Sequence, residues 1–249
     1  MKNLAAILVE LNKPLVLEQI EIPECRFGQV LVKVLSSGIC GSQLGEIDGV
    51  KGKDKYLPHL LGHEGTGIVV DSGEGVTTVK EGDKVVLHWR KGTGIEAPPP
   101  VYHSKSLGTV NAGWVTTFNE YAVVSENRIT SIPEDFDPEI GALMGCAVTT
   151  GLGVINNNAK IKIGESVVVW GAGGIGLNIV QGAALVSAYP IIAIDLFDYK
   201  LELALKMGAT HTINAKKTNP EGKILNIVGE NGADVVIDNT GNVDIIHRA

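Results

Sequence analysis

"VVVWGAGGIGLNIV", residues 167–180, is an apolar run that breaks into glycines and resumes as a helix-like segment. Gly171, Gly173 and Gly176 hold the G-x-G-x-x-G spacing, with Gly174 beside them, where a strand gives way to a helix. Each glycine there serves a separate need, namely the tight turn, backbone approach to a pyrophosphate, and close packing of helix on strand. The opening turn of the helix offers free N–H groups and positive partial charge to phosphate oxygens. A glycine triplet alone is weak evidence, because any crowded turn can use one. The next strand, "IIAID", strengthens it: Asp195 closes that strand about 20 residues on, where a carboxylate accepts hydrogen bonds from an adenosine ribose. The same carboxylate repels a 2′-phosphate, so NAD is expected rather than NADP. Lys200 is a second candidate for the ribose. A plain helix cap at Asp195 and a solvated Lys200 are the alternatives.

Outward from this stretch, Ser166 to Ile194 carries no charged residue, and by the roughly 20-residue rule it is long enough to span a bilayer. The glycine cluster, Asn178, Gln181 and Pro190 instead divide it into strand, turn, helix and strand. A buried layer is expected, and no membrane partner. Further on, "YKLELALKMG" and "PEGKILNIVG" alternate as helices with the strands "THTIN" and "ADVVID". Such alternation implies an α/β fold, a parallel sheet covered on both faces with right-handed crossovers. Gly208 is a natural stop for its helix.

Up to about residue 135 the pattern changes to short β-rich runs, among them "AAILVE", "VLVKVLSSG", "GTGIVVDSG", "DKVVLHW" and "EYAVVS". From Asp137, a candidate N-cap followed by Pro138, the chain turns helical. Two domains are expected, 1–150 and 151–249, and 44% hydrophobic residues in 249 suffice for a core in each. The net charge of −7 and the lack of a dense basic cluster exclude nucleic acid as an expected partner. Three dispersed cysteines, Cys25, Cys40 and Cys146, suit a reducing, cytoplasmic setting better than a disulfide scaffold. "MKNLAAILVELNKP" reads as a first strand rather than an export signal.

"LGHEGTG", residues 61–67, poses a second question. A zinc-protease helix, H-E-x-x-H, needs histidine at 67, and Gly67 stands there in a glycine-rich run that makes a poor helix. His63 is then a structural histidine or a metal ligand, and its available companions are Cys40 in "SSGICGSQ" and Cys146 in "MGCAVTTG". Both thiols are equally readable as small buried hydrophobes. Spacing does not decide between the two, because residues this far apart form no local pattern.

"GICGS", "GHEGTG", "VKEGDKV", "GCAVTTGLG", "VVVWGAGGIGL" and "MGAT", in this order, closely resemble the zinc-dependent alcohol dehydrogenases of the medium-chain dehydrogenase/reductase superfamily. The resemblance runs from the first strand to the last residue. It implies a GroES-like catalytic domain followed by a Rossmann domain, with Cys40, His63 and Cys146 binding one catalytic zinc. Two thiolates and a neutral imidazole leave Zn²⁺ near zero net charge with a fourth position open. An alcohol bound there loses its proton more easily and can give hydride to the nicotinamide. The resemblance further implies Glu64 close to the metal, Ser42 as a proton relay, Thr150 beside the nicotinamide and Ile175 against its ring face. Trp89 and Phe118 match positions that line the substrate pocket. A hydroxyl both donates and accepts, as a relay requires. His59 is expected to be structural.

The chain departs from the family in several places. "HWRKGTGIEAPPPVYHSKSLGTVNAGW" holds none of the four cysteines that bind a structural zinc in many relatives, so no second zinc is expected. Gln43 replaces a frequent aspartate behind the histidine ligand, where an amide raises ligand basicity less than a carboxylate. Gly41 and Gly45 replace a frequent basic residue and a frequent relay histidine. The sequence ends at "ADVVIDNTGNVDIIHRA", where the family adds further strands; roughly a hundred residues more are expected from the six-strand order, so a piece of a longer chain is expected, with a naturally shortened relative as the alternative. A homo-oligomer is expected at full length. The function expected is NAD-linked oxidation of a small alcohol or reduction of its carbonyl. A zinc-free enone or quinone reductase of the same superfamily and a non-catalytic nucleotide-binding fragment are the rivals.

Overall fold

Alternating apolar residues in the first half of the chain pair into sheets, and continuous apolar runs in the second half stack into a parallel layer. The computed structural model describes residues 2–247 and forms two units, the first ending at Cys146 and the second beginning at Ala147.

The first unit contains β1 (Lys2–Leu8), β2 (Val16–Glu21), β3 (Gln29–Ser37), α1 (Gly41–Ile47), β4 (His59–Leu60), β5 (Glu64–Ser72) and β6 (Lys84–His88). It continues with β7 (Val101–Ser104), β8 (Gly108–Asn111), β9 (Tyr121–Ser125), β10 (Ile129–Ser131) and α2 (Pro138–Met144). Strands β1, β2, β7, β8 and β4 close a barrel, and β10-β6-β5-β3-β9 form a five-stranded sheet. β3 serves two cores because successive side chains of a strand point to opposite faces. Val30 and Val32 pack with Val69, Val85, Leu87 and Val124, while Leu31 joins Ile7, Ile20, Leu60, Tyr102 and Val110. Each such side chain contributes about 1.5–3 kcal/mol on burial. Gly67 lies inside β5, so the segment after His63 is strand and not a protease helix.

Asp137 caps α2, its carboxylate accepting from the Glu139 and Ile140 amides at 2.8 and 3.2 Å, with Pro138 in the first turn. The helical run breaks at Gly145 and Cys146 before α3 (Ala147–Gly153). Close packing forces glycine at 145: a Cβ there would stand 2.4 Å from the Leu87 carbonyl oxygen and 2.9 Å from Glu64 Cα. The chain thus presses against β5 and β6 just before the cysteine.

The second unit adds β11 (Val167–Trp170), α4 (Gly174–Leu185), β12 (Ile191–Asp195), α5 (Asp198–Lys206), β13 (His211–Asn214), α6 (Pro220–Val228), β14 (Val235–Asp238) and α7 (Val243–Ile246). Its sheet is parallel, in the order β13-β12-β11-β14. Val167, Val169, Ile191 and Ala193 pack with Ile179, Val180 and Ala183 of α4. Val168, Trp170, Ile192, Ile194 and Ile213 fill the other face, against Ile224 and Ile227 of α6. Burial on both faces explains the absence of polar alternation. The charge-free segment is therefore strand, turn, helix and strand, and among the described residues no single helix is long and apolar enough to cross a membrane. Gly208 follows α5 with φ +111°, a left-handed stop.

Candidate active site

Three separate breaks between elements deliver the cysteines and the histidine. Cys40 is the N-cap of α1, His63 immediately precedes β5, and Cys146 lies between α2 and α3. The two Sγ atoms and one His63 ring nitrogen all lie within 4.8 Å of one another. Tetrahedral zinc, with Zn–S near 2.3 Å, sets two sulfurs about 3.8 Å apart, so closing on an ion takes movements of at most about 1 Å. His63 Nε2 is buried and has no hydrogen-bond partner among the described residues, a state that ordinarily costs about 1–3 kcal/mol. Burial, opposed by Glu46 and reinforced by Lys51, holds the His63 pKa below the usual histidine range, which favours the neutral form that binds metals. The donor set and the orphaned nitrogen fit a zinc ion.

Gln43, 3% exposed, bridges two of these residues. Its Oε1 accepts from the Cys40 amide at 3.1 Å, and its Nε2 lies against His63 Nδ1. An amide nitrogen there makes Nδ1 the acceptor and leaves the ring proton on Nε2; turning the amide over reverses this and frees Nε2 for a cation. Glu64 is 3% exposed, and its side chain packs so closely on Gly38 that a Cβ there would stand 2.7 Å away. Ser42 Oγ, in the first turn of α1, is buried without a hydrogen-bond partner among the described residues. The Trp89 ring lies 6.2 Å from that of His63, centroid to centroid.

A cavity of about 680 Å³ opens beside His63, lined also by Gln43, Trp89 and Trp114. Phe118 is not part of its lining and packs instead next to Gly62. His59 is held in place, Nδ1 at 2.9 Å from the Leu60 carbonyl and Nε2 at 2.8 Å from Asp54. His88 is held between the Arg90 carbonyl and Thr130. Cys25 stands outside the cluster; burial, helped by Asp71, pushes its thiol up to about 11.

In the second unit the glycine loop divides its work among its members. Gly171 takes φ +91°, and a Cβ on Gly176 would fall 1.8 Å from the Gly171 carbonyl oxygen. Gly173 and Gly174 face open space at the start of α4, a cradle any larger residue would begin to fill. Asp195 is occupied by backbone: Oδ2 accepts from Ala172 at 2.9 Å, and Oδ1 from Leu196 and Phe197. Lys200 Nζ lies 3.8 Å from Oδ2. Thr150 is half-buried on α3, and Ile175, in the first turn of α4, packs against the core. Asn239, which the sequence did not single out, donates from Nδ2 to the Gly171 carbonyl at 2.9 Å and braces the turn. No sequence signal marks it, since it follows a strand whose loop has no recognisable spacing.

A thiol–imidazole cluster in a β-barrel unit, and a glycine turn in a parallel-sheet unit, define a class of metal-binding dehydrogenases. Residues 26–134 match the family described as "Alcohol dehydrogenase GroES-like domain", and residues 174–249 match "Zinc-binding dehydrogenase". The whole chain is 37% identical to an S-(hydroxymethyl)glutathione dehydrogenase of Synechocystis sp. and 35% identical to one of Escherichia coli O6:H1, spanning 74% of each. Among solved structures, 99% of the chain superposes on an alcohol dehydrogenase zinc-binding domain protein of Burkholderia ambifaria (TM-score 0.90, 28% identity, 72% of that chain). A benzyl alcohol dehydrogenase of Acinetobacter calcoaceticus gives TM-score 0.86 at 29% identity, over 99% of this chain and 72% of that one. The chain belongs to the zinc-dependent alcohol dehydrogenase family of the medium-chain dehydrogenase/reductase superfamily.

Proposed function

We propose that the protein interconverts a small alcohol and its aldehyde or ketone with NAD(H), using one zinc ion held by Cys40, His63 and Cys146. The observation that carries this is the convergence of three donor atoms within 4.8 Å of one another, with the buried His63 Nε2 lacking a hydrogen-bond partner among the described residues. Zinc bound there would supply a Lewis acid that makes the substrate hydroxyl more acidic, and bound NAD would supply the hydride acceptor.

The chain's own residues do the rest. Trp89 walls the cavity beside His63 and presses the substrate toward the cluster while displacing water. Ser42 Oγ, with no hydrogen-bond partner among the described residues, accepts the substrate proton and passes its own outward. Glu64, buried and next to His63 in the chain, is assigned a place close to the metal. In the second unit, Gly173 and Gly174 admit a pyrophosphate to the α4 N-terminus. Asp195 and Lys200 are assigned to the adenosine ribose, Asp195 through lone pairs left over from its backbone bonds. Thr150 and Ile175 are assigned to the nicotinamide, and Phe118 to a supporting wall.

Elemental analysis of the purified chain tests this together with NADH formation over an alcohol panel. One zinc per chain, lost in Cys146→Ala, is expected; a wild-type chain without zinc defeats the proposal. Turnover that survives exhaustive chelation would assign the protein to the zinc-free reductases instead.

A further inference from the structure

Two tryptophans on the wall of the cavity beside His63 are held by one cation that stands behind them. Trp89 follows β6 directly, and Trp114 lies far along the chain, between β8 and β9. Arg128, 5% exposed, ends the 3₁₀ turn Glu126–Arg128 between β9 and β10 and is not part of the cavity lining. Its guanidinium donates from Nη1 to the Trp89 carbonyl and from Nη2 to Glu96 Oε1 at 3.2 Å. The central carbon of the same group lies over the Trp114 ring, 5.2 Å from its centre, where the ring quadrupole attracts a cation.

The base from which Arg128 reaches is fixed. The next residue, Ile129, pairs with Leu87 of β6, and the Gly92 amide donates to the Asn127 carbonyl at 2.7 Å. Val115, 4% exposed, anchors the backbone just after Trp114 in the core, whereas Gly113 before it is exposed. The Trp89 peptide and the Trp114 ring therefore share one planar fork, whose donors keep fixed angles that a lysine ammonium does not. A largely buried ion pair contributes little net stability over apolar packing, so what Arg128 adds is the placement of the groups around it.

We infer that Arg128 is the positioning residue of the cavity's aromatic wall: it holds the Trp89 peptide and the Trp114 ring in one arrangement, and through them sets how firmly the cavity grips a long alcohol. It touches no substrate itself. A two-carbon alcohol at His63 covers little of a wall that encloses about 680 Å³. A six-carbon alcohol covers much more of it, so loosening the wall weakens the grip on the longer one first. The inference rests on the dehydrogenase reading for the identity of the substrate, and on side chains of the first unit alone for the hold on the tryptophans.

Two variants test this. Arg128→Met removes both fork and charge; Arg128→Lys keeps a cation beside Glu96 without the fork, and it carries the test if urea unfolding shows that Arg128→Met does not fold. Acrylamide quenching of tryptophan fluorescence, on the chain as purified and without cofactor or alcohol, reads the wall directly, because Trp170 is 2% exposed and out of the quencher's reach. Quenching should rise in both variants. With zinc and NAD present, the ratio of kcat/KM for hexan-1-ol to that for ethanol should fall about tenfold, within the discrimination that apolar pocket contacts provide. The change should lie in KM for hexan-1-ol rather than in kcat. A merely structural role lowers the amount of active chain, which moves both alcohols alike and cancels in the ratio. Unchanged quenching, or an unchanged ratio, overturns the inference. A wild-type chain that oxidises no alcohol defeats the dehydrogenase reading instead, and quenching then decides by itself whether Arg128 holds the tryptophans.

Discussion

At the scale of single residues, the site depends on what Gln43 and Gly176 allow. Gln43 offers one oxygen to two groups that both need an acceptor when a cation sits on His63 Nε2: the Cys40 amide and Nδ1–H. Gln43→Glu provides two oxygens, and zinc affinity measured by chelator competition should rise about 10-fold to 100-fold, the range such outer partners command. No change would mean that the amide does not govern the imidazole. Gly176→Ala places a methyl 1.8 Å from the Gly171 carbonyl oxygen, and backbone cannot give way there as a flexible side chain would. The expected loss is about 3 kcal/mol or more, read from urea unfolding followed through Trp170 in the neighbouring strand.

At the scale of elements, polar side chains fasten the long segment between β6 and β7 to the end of β9. Glu126, 1% exposed, accepts from the Thr77, Thr78 and Ile95 amides at 2.7–2.8 Å. Ser125 Oγ bonds Ile95 and Ala97, and Gln29 reaches the Pro98 carbonyl at 2.9 Å. Arg128 completes the clasp through the Trp89 carbonyl and Glu96. Glu126→Ala leaves the Thr77, Thr78 and Ile95 amides without the carboxylate that satisfies them and should cost about 3 kcal/mol by denaturant titration; a loss under about 0.5 kcal/mol would show that the loop holds itself. Burial opposes the Glu126 charge, but the Thr77, Ile95 and Thr78 amides outweigh it and hold the pKa below the ordinary glutamate value. A depressed folded-state pKa stabilises the fold above the unfolded pKa, about 4.3, and that contribution disappears as pH falls through the lower folded value. Thermal unfolding of wild type should therefore drop more steeply below pH ~4 than that of Glu126→Gln.

For the molecule as a whole, the two halves were unequally legible. The parallel layer is readable because β11 and β12 are apolar up to Asp195 and Gly171 to Gly176 fix where strand becomes helix. The barrel was only partly so. In β2, "VLEQIE", Ile20 alone is buried, so its charges obscure the alternation. α1 was missed because "GSQLGEI" carries two glycines and no apolar stripe, its start being fixed by the Cys40–Gln43 capping box instead. The long helical run after Asp137 splits at Gly145 and Cys146 for a reason no local pattern contains, the approach of Leu87 and Glu64. The cluster itself became visible through resemblance, since pairing distant residues is a property of the fold. Asn239 gains meaning only from the turn beside it.

The origin of Cys40, His63 and Cys146 in three separate stretches of the first unit has one more outcome. No partly opened form that releases β5, the start of α1 or the end of α2 keeps all three donors, so ion uptake and closure of that unit are a single linked equilibrium. Free zinc at about a hundred times its dissociation constant would add about 2.7 kcal/mol to the unit's resistance to opening. The abundance of the intact protein would then follow the cell's supply of the ion, quite apart from any catalytic turnover.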